Sequence, residues 1–228
     1  MAKRCNSWIV PVSVGGTSQK RIEGPDTLSM GASFDFSAPS EWDVYYENNP
    51  DVLEWHSSVP LERISSYITT EQSDVLLVGC GNSRLPETIL SMHTGQGTRL
   101  VLLDTSQTCL DQLRQIHGYS VEYMCGNAVE LDQLFPDREF DMVLDKGLSD
   151  ALFCSEGWNG PIEKLYKGAA KILRPGVGQY LLVSYKLPSS MQDFLRDVGE
   201  AVGLDWEFDL IPDSNHRVGL SLAKKRSS

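Results

Sequence analysis

The 228-residue sequence lacks the features that mark several classes of protein. No run reaches the roughly 18 apolar residues that a membrane-spanning helix needs, so no membrane partner is expected. The five cysteines include no Cys-x-x-Cys pair and the four histidines show no ligand spacing, which predicts neither a disulfide framework nor a metal site. Basic residues number 20 against 31 acidic ones, and the net charge of −11 argues against a nucleic-acid partner. An acidic surface suits a cationic substrate, although it is also a common solubility feature.

Acidic residues are also missing from one end of the chain, residues 1–22, which carry four basic residues. This composition resembles an organellar transit peptide, but a disordered tail explains it equally well and is favoured. A cytoplasmic location is therefore expected, with a mitochondrion or another organelle as the alternative. Residues 1–39 are predicted to be a flexible tail and linker, residues 40–70 an N-terminal helical segment, and residues 71–228 the core of a single domain.

The most informative local pattern is a short apolar run, residues 74–78, that stops at Gly79-Cys80-Gly81-Asn82-Ser83. A buried parallel strand reads as a continuous Val/Leu run, and two glycines let the backbone turn tightly and approach a ligand. A helix that follows such a turn offers its free N–H groups. The pattern predicts a site for a nucleotide-like cofactor.

A second apolar strand ends at Asp104, 23 residues after Gly81. In a doubly wound sheet a carboxylate at this distance holds the ribose hydroxyls of the cofactor. A dinucleotide site would have a third glycine at position 84, where this chain has Arg84. The motif is instead Gly-x-Gly-x-Ser, typical of sites for S-adenosylmethionine (AdoMet), and hydride transfer with a nicotinamide cofactor becomes the less favoured reading.

The order of predicted elements indicates an α/β fold with a doubly wound, mostly parallel, seven-stranded Rossmann-like sheet. Apolar strand patterns alternate with amphipathic helix patterns as far as residue 203, and two period-2 segments then predict a C-terminal antiparallel hairpin. The strands are predicted at 74–78, 99–103, 121–125, 140–144, 179–184, 206–211 and 218–222, and the helices at 83–92, 106–117, 161–173 and 189–203.

An aromatic helix is predicted ahead of the core. Ser40 and Asp43 match a capping box, and Trp42 and Tyr46 would lie one turn apart on the same face of the helix. These aromatic side chains either pack against the edge of the sheet or stack and hydrogen-bond at the mouth of the cofactor site.

The carboxyl end of the fourth strand carries a charged pair, Asp145 and Lys146. Ligands of open α/β sheets bind outside the carboxyl ends of the strands. Asp145 could there orient an amine or hold the ammonium group of the methionine moiety. Alternatively, both residues cap a loop and face water.

Together these motifs resemble the eukaryotic methyltransferase-like proteins of the class I fold that methylate protein lysines, including enzymes that act on translation elongation factors and on citrate synthase. The resemblance covers roughly residues 41–222. Its marks are Trp42-Asp43-x-x-Tyr46, Glu54-Trp55, Gly79-Cys80-Gly81-Asn82-Ser83, Asp104-x-Ser106, Phe140-Asp141-x-Val143-x-Asp145-Lys146-Gly147 and Asp150-Ala151-Leu152.

The resemblance implies that AdoMet is the cofactor and assigns its contacts. Trp42, Tyr46 and Trp55 would line it, Gly79 would face the methionine moiety within the loop that includes Cys80, Gly81, Asn82 and Ser83, Asp104 and Thr105 would hold the ribose, Asn127 and Ala128 would flank the adenine, and Lys146 would contact it from the fourth strand.

The chain also departs from the family pattern. Asn127 replaces the usual Asp and would accept from the adenine amino group through its carbonyl. Asp145-Lys146-Gly147-Leu148-Ser149-Asp150 replaces Asp-Lys-Gly-Thr-Leu-Asp, and His56 replaces an aromatic residue.

The favoured function is AdoMet-dependent methylation of a lysine side chain in a protein substrate. Such an enzyme contributes mainly the alignment of the methyl donor with its acceptor. It must also let the ammonium group of the acceptor lysine lose a proton before the transfer. Asp145 and Asp150 are predicted as the catalytic residues that orient the acceptor. The alternatives are a methyltransferase for small molecules and a catalytically silent domain that serves as a binding scaffold. The sequence predicts neither the particular substrate nor the oligomeric state.

Overall fold

The computed structural model describes residues 34–36, 38–68, 73–93, 97–155, 157–210 and 217–227. Within these residues it confirms the predicted α/β fold, with a seven-stranded sheet in the order β3-β2-β1-β4-β5-β7-β6. Strands β1 to β5 run parallel, whereas β7 is antiparallel to both of its neighbours, β5 and β6. The strands are β1 Asp74–Val78, β2 Arg99–Asp104, β3 Glu122–Cys125, β4 Met142–Lys146, β5 Gln179–Tyr185, β6 Leu204–Glu207 and β7 Val218–Lys225.

Helices cover both faces of the sheet. They are α1 Pro39–Asn48, α2 Leu61–Ser65, α3 Leu85–Met92, α4 Gln107–His117, α5 Leu131–Leu134, α6 Leu148–Phe153, α7 Asn159–Ile172 and α8 Ser189–Val202. Because side chains alternate along a strand, Val75 and Leu77 pack with α1 to α4, whereas Leu76 and Val78 pack with α5 to α8. The continuous Val/Leu runs of the sequence are therefore buried on both faces, as parallel strands between two helical layers must be.

The start of α1 corrects the predicted capping box. The helix begins at Pro39, and its N-cap residue, Ala38, makes no side-chain cap. Proline is favoured in a first turn because its φ is already helical and its missing N–H would have no partner there. Asp43 instead accepts hydrogen bonds from Ser106 Oγ at 2.6 Å and from Thr108 N at 3.2 Å, and so ties α1 to the beginning of α4.

The region after β4 also differs from its prediction. The strand extends to Lys146, and α6 follows at once where the sequence suggested a loop. Gly147 makes this possible with φ +95°, a left-handed conformation that favours glycine. Asp145 and Lys146, 0% and 8% exposed, do not face water.

Other predictions fall partly outside the described residues. The N-terminal tail with its transit-peptide alternative lies almost entirely outside them, as does most of the connection between the two strands of the predicted C-terminal hairpin. Phe34 and Phe36 are described, and both pack edge-on against Trp42, so aromatic packing begins ahead of the boundary predicted at residue 40. That domain boundary stays a prediction.

Two further findings concern the predicted absences. No described helix is long and apolar enough to cross a membrane. Cys154 takes part in a disulfide, although the spacing of the cysteines predicted no disulfide framework. Sequence spacing did not indicate this bond, because the fold determines which cysteines meet.

Candidate functional site

An open pocket lies at the carboxyl ends of β1 to β4. This is the point in the sheet where the chain, after building outward from β1 to β3, returns to the other side of β1 with β4. The space between the lining residues of the pocket, with the open solvent at its mouth included, is about 1050 Å³. This is the place where open α/β sheets bind ligands. The pocket brings together every residue predicted to bind the cofactor, namely Trp42, Tyr46, Trp55, Gly79, Cys80, Gly81, Asn82, Ser83, Asp104, Thr105, Asn127, Ala128 and Lys146. Sequence reasoning missed the remaining lining residues, which are Phe36, Leu53, Leu103, Gly126, Val129, Gly147, Leu148, Ala151, Leu152 and Pro161.

The two glycines after β1 form the floor of the pocket. Gly79 has φ +57° and Gly81 has φ +52°, in the left-handed region that favours glycine. A Cβ on Gly79 would lie 2.8 Å from Leu148 Cβ, and a Cβ on Gly81 would lie 3.0 Å from Tyr46 Oη. Glycine at both positions therefore keeps the backbone bare and lets neighbouring side chains approach it closely.

Asp104 closes the turn from the tip of β2. Its Oδ2 accepts from Gly81 N at 2.9 Å, and its Oδ1 accepts from Ser106 N at 3.0 Å. Burial raises the pKa of Asp104, and hydrogen bonds from backbone N–H groups oppose that rise. A carboxylate has about four lone-pair sites, so Asp104 can hold the loop in shape and still accept from a ligand.

A segment that we call the strap, residues 49–56, lines the pocket with Leu53 and Trp55 and is held by Asn82. The Asn82 side chain accepts from Leu53 N at 3.1 Å and donates to Asp51 O at 2.6 Å. Asn82 was predicted to bind the cofactor. Although it lines the pocket, its polar atoms bind the strap.

The strap carries Glu54, whose carboxylate lies at the beginning of α3. Oε1 accepts from Ser83 Oγ at 2.6 Å, and Oε2 accepts from Arg84 N at 3.0 Å. The same carboxylate pairs with Lys146 Nζ at 2.5 Å. The start of this helix is where a dinucleotide cofactor would place its pyrophosphate. In this chain the carboxylate of Glu54 occupies that position.

Lys146 faces the strap. Its Nζ donates to Trp55 O at 2.9 Å in addition to its ion pair with Glu54. Burial lowers the pKa of Lys146, and Glu54 opposes that shift. Lys146 therefore joins β4 to the strap at the edge of the pocket.

The aromatic residues of α1 form one wall of the pocket. The sequence left open whether these residues pack against the protein or contact a ligand. The rings of Trp42 and Tyr46 stack with centroids 6.1 Å apart, and Trp42 Nε1 donates to Phe36 O at 3.1 Å. Trp42 packs with Phe34 and Tyr45, Tyr46 packs with Tyr45, and both Trp42 and Tyr46 also line the pocket. Packing and ligand contact are thus compatible roles here.

Asp145 lies on the other face of β4 from Lys146. Its oxygens accept from Ser149 Oγ at 2.5 Å, from Ser149 N at 3.2 Å and from Tyr180 Oη at 2.8 Å. Burial raises the pKa of Asp145 to about 6, against these hydrogen bonds. Asp145 is not among the residues that line the pocket. Its side chain instead ties β4 to α6 and β5.

Asp150 is likewise absent from the pocket lining. Its Oδ2 lies 2.7 Å from His56 Nε2, and its Oδ1 accepts from Tyr185 N at 3.2 Å. His56 has φ +58°, uncommon for a residue other than glycine. Burial raises the pKa of Asp150, and His56 opposes the rise. The catalytic roles assigned to Asp145 and Asp150 stay predictions that these contacts do not favour.

The comparisons with known proteins agree with this geometry. Residues 75–176 match a family model described as a methyltransferase domain, Methyltransf_25. The mouse (Mus musculus) protein named eEF1A lysine and N-terminal methyltransferase is 27% identical over 159 residues, 67% of this chain and 22% of its own length. A Drosophila melanogaster homolog of that enzyme is 25% identical and is matched over 72% of this chain and 24% of its own length. The chain thus spans about a quarter or less of these curated relatives.

Solved structures share the fold. The CurJ carbon methyltransferase superposes with a TM-score of 0.59 at 11% identity, covering 86% of this chain and 60% of that one. The YcgJ protein of Bacillus subtilis superposes with a TM-score of 0.57 at 14% identity, covering 76% of this chain and 100% of that one. At such low identity these likenesses concern the fold alone.

Proposed function

Because the chain carries a class I methyltransferase domain, we propose that it transfers a methyl group from AdoMet to the side-chain amine of a lysine in a protein substrate. The observation that carries the choice of cofactor is the position of Glu54. Its carboxylate accepts from Ser83 Oγ and Arg84 N at the beginning of α3, so that a negative charge of the protein already lies where a pyrophosphate would bind. AdoMet has a ribose and an adenine but no phosphate.

The residues around the pocket fit such a cofactor. Asp104 keeps acceptor capacity for ribose hydroxyls, and the bare backbone of Gly79 lines the pocket beside Leu148. Asn127 lines the pocket at the tip of β3 and would flank the base. When bound, AdoMet supplies a methyl group on a positively charged sulfur. The protein contributes alignment and a site that excludes water.

Burial in the pocket favours an uncharged amine acceptor. The pocket is lined by four ionisable side chains, Tyr46, Cys80, Asp104 and Lys146. Burial raises the pKa of the first three and lowers the pKa of Lys146, which in each case favours the uncharged form. The same desolvation would lower the pKa of an incoming lysine amine. Trp55, Leu148 and Leu152 add apolar surface for its methylene chain. No dedicated base at Asp145 or Asp150 is then required.

The curated relatives supply the choice of acceptor. Their name specifies a lysine and an N-terminal amine of eEF1A, which makes elongation factor 1A the first protein substrate to test. A methyltransferase for small molecules and a catalytically silent scaffold are the alternatives. A cytoplasmic location is part of the proposal, because translation factors work there.

The first test is calorimetric titration of the purified chain with AdoMet and S-adenosylhomocysteine. Asp104→Asn should weaken both ligands by tenfold or more, because it removes the charge from an acceptor of ribose hydroxyls. Asp193→Asn, a change of the same chemistry on the exposed face of α8, is the matched control and should leave binding unchanged. Failure of the unaltered chain to bind either ligand would favour the scaffold.

The second test is methyl transfer from labelled AdoMet to elongation factor 1A and to whole lysate, followed by acid hydrolysis of the labelled products. Label recovered as ε-N-methyl-lysine supports the proposal. Label on an N-terminal amine, or in the small-molecule fraction of the lysate, would contradict lysine as the acceptor. Tight binding without any transfer would contradict an enzymatic role toward the substrates offered.

A further inference from the structure

The backbone of His56, the last residue of the strap, has a conformation that its surroundings must hold. Its φ of +58° lies in the left-handed region, where a side chain crowds the backbone, and such a conformation persists only where neighbouring contacts fix it. One contact is local, since His56 O accepts from Val59 N at 2.9 Å. The other is distant in sequence, since His56 Nε2 lies 2.7 Å from Asp150 Oδ2. The conformation of the strap at this residue therefore depends in part on Asp150.

The His56–Asp150 pair is almost completely buried, with side chains that are 1% and 3% exposed. An ionised carboxylate only accepts hydrogen bonds, so His56 carries its hydrogen on Nε2 and donates it to Asp150. Nδ1 of the same ring is buried and has no hydrogen-bond partner among the described residues. The bond to Asp150 is thus the one hydrogen bond of the imidazole in that part of the chain.

This bond joins two sides of the pocket. Asp150 is held in place by the core, because it lies on α6 and its Oδ1 accepts from Tyr185 N at the end of β5. His56 directly follows Trp55 on the strap. Both elements carry side chains that line the pocket, namely Leu53 and Trp55 of the strap and Leu148, Ala151 and Leu152 of α6.

Trp55 is the lining residue that this bond affects most directly. Its ring lies on the backbone of Gly147, so that a Cβ on Gly147 would be 3.0 Å from Trp55 Cε3. Without its partner, His56 is free to leave the left-handed region, and a change of φ there moves the chain beside Trp55. Asn82 and Lys146 would still bind the strap. Loss of the bond should therefore loosen one wall of the pocket and leave the sheet folded.

We propose that the His56–Asp150 bond latches the strap to α6 and that His56 thereby positions Trp55 against a bound cofactor. His56 is not among the residues that line the pocket, so it acts through Trp55 as a positioning residue. A wall that already has its bound conformation needs no ordering when a ligand binds, which raises the affinity. The effect on AdoMet rests on the proposed function, whereas the latch can be measured without a ligand.

The test combines calorimetric titration with S-adenosylhomocysteine and hydrogen exchange of peptides that cover the strap. His56→Phe keeps a ring but donates nothing to Asp150. It should lower the affinity tenfold or more and should speed exchange in the strap tenfold or more. His56→Gln keeps an N–H donor near the position of Nε2 and should restore the affinity to within about threefold of that of the unaltered chain. His117→Phe, at the end of α4 that lies away from the pocket, is the matched control and should change neither quantity.

A double variant separates the latch from the burial of a charge. His56→Phe alone leaves a buried carboxylate without its partner, which should lower the Tm. Adding Asp150→Asn removes that charge, and the amide oxygen can still accept from Tyr185 N. The Tm should then recover while the affinity stays low. If His56→Phe alone does not fold, the comparison is made with the double variant.

Two results would overturn the proposal. One is an affinity that recovers together with the Tm in the double variant, because the pair would then have a structural role only. The other is strap exchange that is unchanged by His56→Phe. If the unaltered chain does not bind S-adenosylhomocysteine, the proposed function fails, and the exchange of the strap still decides whether the latch exists.

Discussion

Replacing Asp145 with Asn should stabilise the protein at neutral pH without impairing cofactor binding. Asp145 is 0% exposed, and burial raises its pKa from 3.8 to about 6. In the folded state the ionised form is therefore disfavoured relative to the unfolded chain. Each unit of difference between the pKa values of the folded and unfolded states corresponds to about 1.36 kcal/mol, so above pH 6 the ionisation of Asp145 lowers the free energy of unfolding by about 3 kcal/mol. An uncharged Asn avoids this cost.

The site can accommodate the amide. The Asn side chain of the variant would not need new partners, since its oxygen can accept from Ser149 N and its NH₂ can donate to the hydroxyl of Ser149 or Tyr180, whose protons rotate. The advantage of the variant should be absent below about pH 4, where Asp145 is protonated in both states, should grow between pH 4 and 6, and should be constant above pH 6. About 3 kcal/mol corresponds to a rise in Tm of roughly 6 to 12 °C for a domain of this size.

The measurement is thermal and urea unfolding of both proteins between pH 3.5 and 8. Other titrating groups are common to the two proteins, so the difference between the two curves isolates Asp145. Asp193→Asn, on the exposed surface, is the control and should change stability by no more than about 0.5 kcal/mol. A stability difference that is independent of pH would refute the reasoning. Loss of methyl transfer with unchanged cofactor binding would instead identify Asp145 as catalytic.

Three further changes test the pocket. Gly79→Ala should reduce the affinity for S-adenosylhomocysteine at least tenfold in calorimetry, because its Cβ would lie 2.8 Å from Leu148 Cβ at a backbone φ of +57°; unchanged affinity would mean that the turn has room to relax. Lys146→Met should lower the free energy of unfolding in urea by about 3 kcal/mol, because it leaves Glu54 without its ion partner. Adding Glu54→Gln should recover part of that loss, and strictly additive effects of the two changes would argue against the pair. Tryptophan fluorescence should change when S-adenosylhomocysteine binds, since Trp42 and Trp55 both line the pocket, and replacing both with Phe should remove most of that signal; an equal signal from the double variant would place the ligand elsewhere.

Much of the sheet was predictable from local pattern. Buried parallel strands need uninterrupted apolar runs, and β1 and β2 were predicted to within one residue of their observed ends. The glycine turn and Asp104 were predictable because their separation follows from one strand, one helix and the next strand. The short helices α5 and α6 were missed, and α2 was covered only by the broad prediction of a helical segment over residues 40–70, since four to six residues carry too little periodicity to be recognised.

The sequence alone determined the alternation of strands and helices, and with it a pocket at the carboxyl ends of β1 to β4 that contains every residue predicted to bind a cofactor. Only the tertiary structure decided how the polar side chains are used. It turned Asp145 and Asp150 away from the pocket and brought the Glu54 carboxylate to the beginning of α3. The physical reason is that strand periodicity is local, whereas a hydrogen bond between residues 29 positions apart, such as Ser83 and Glu54, depends on how the whole chain packs.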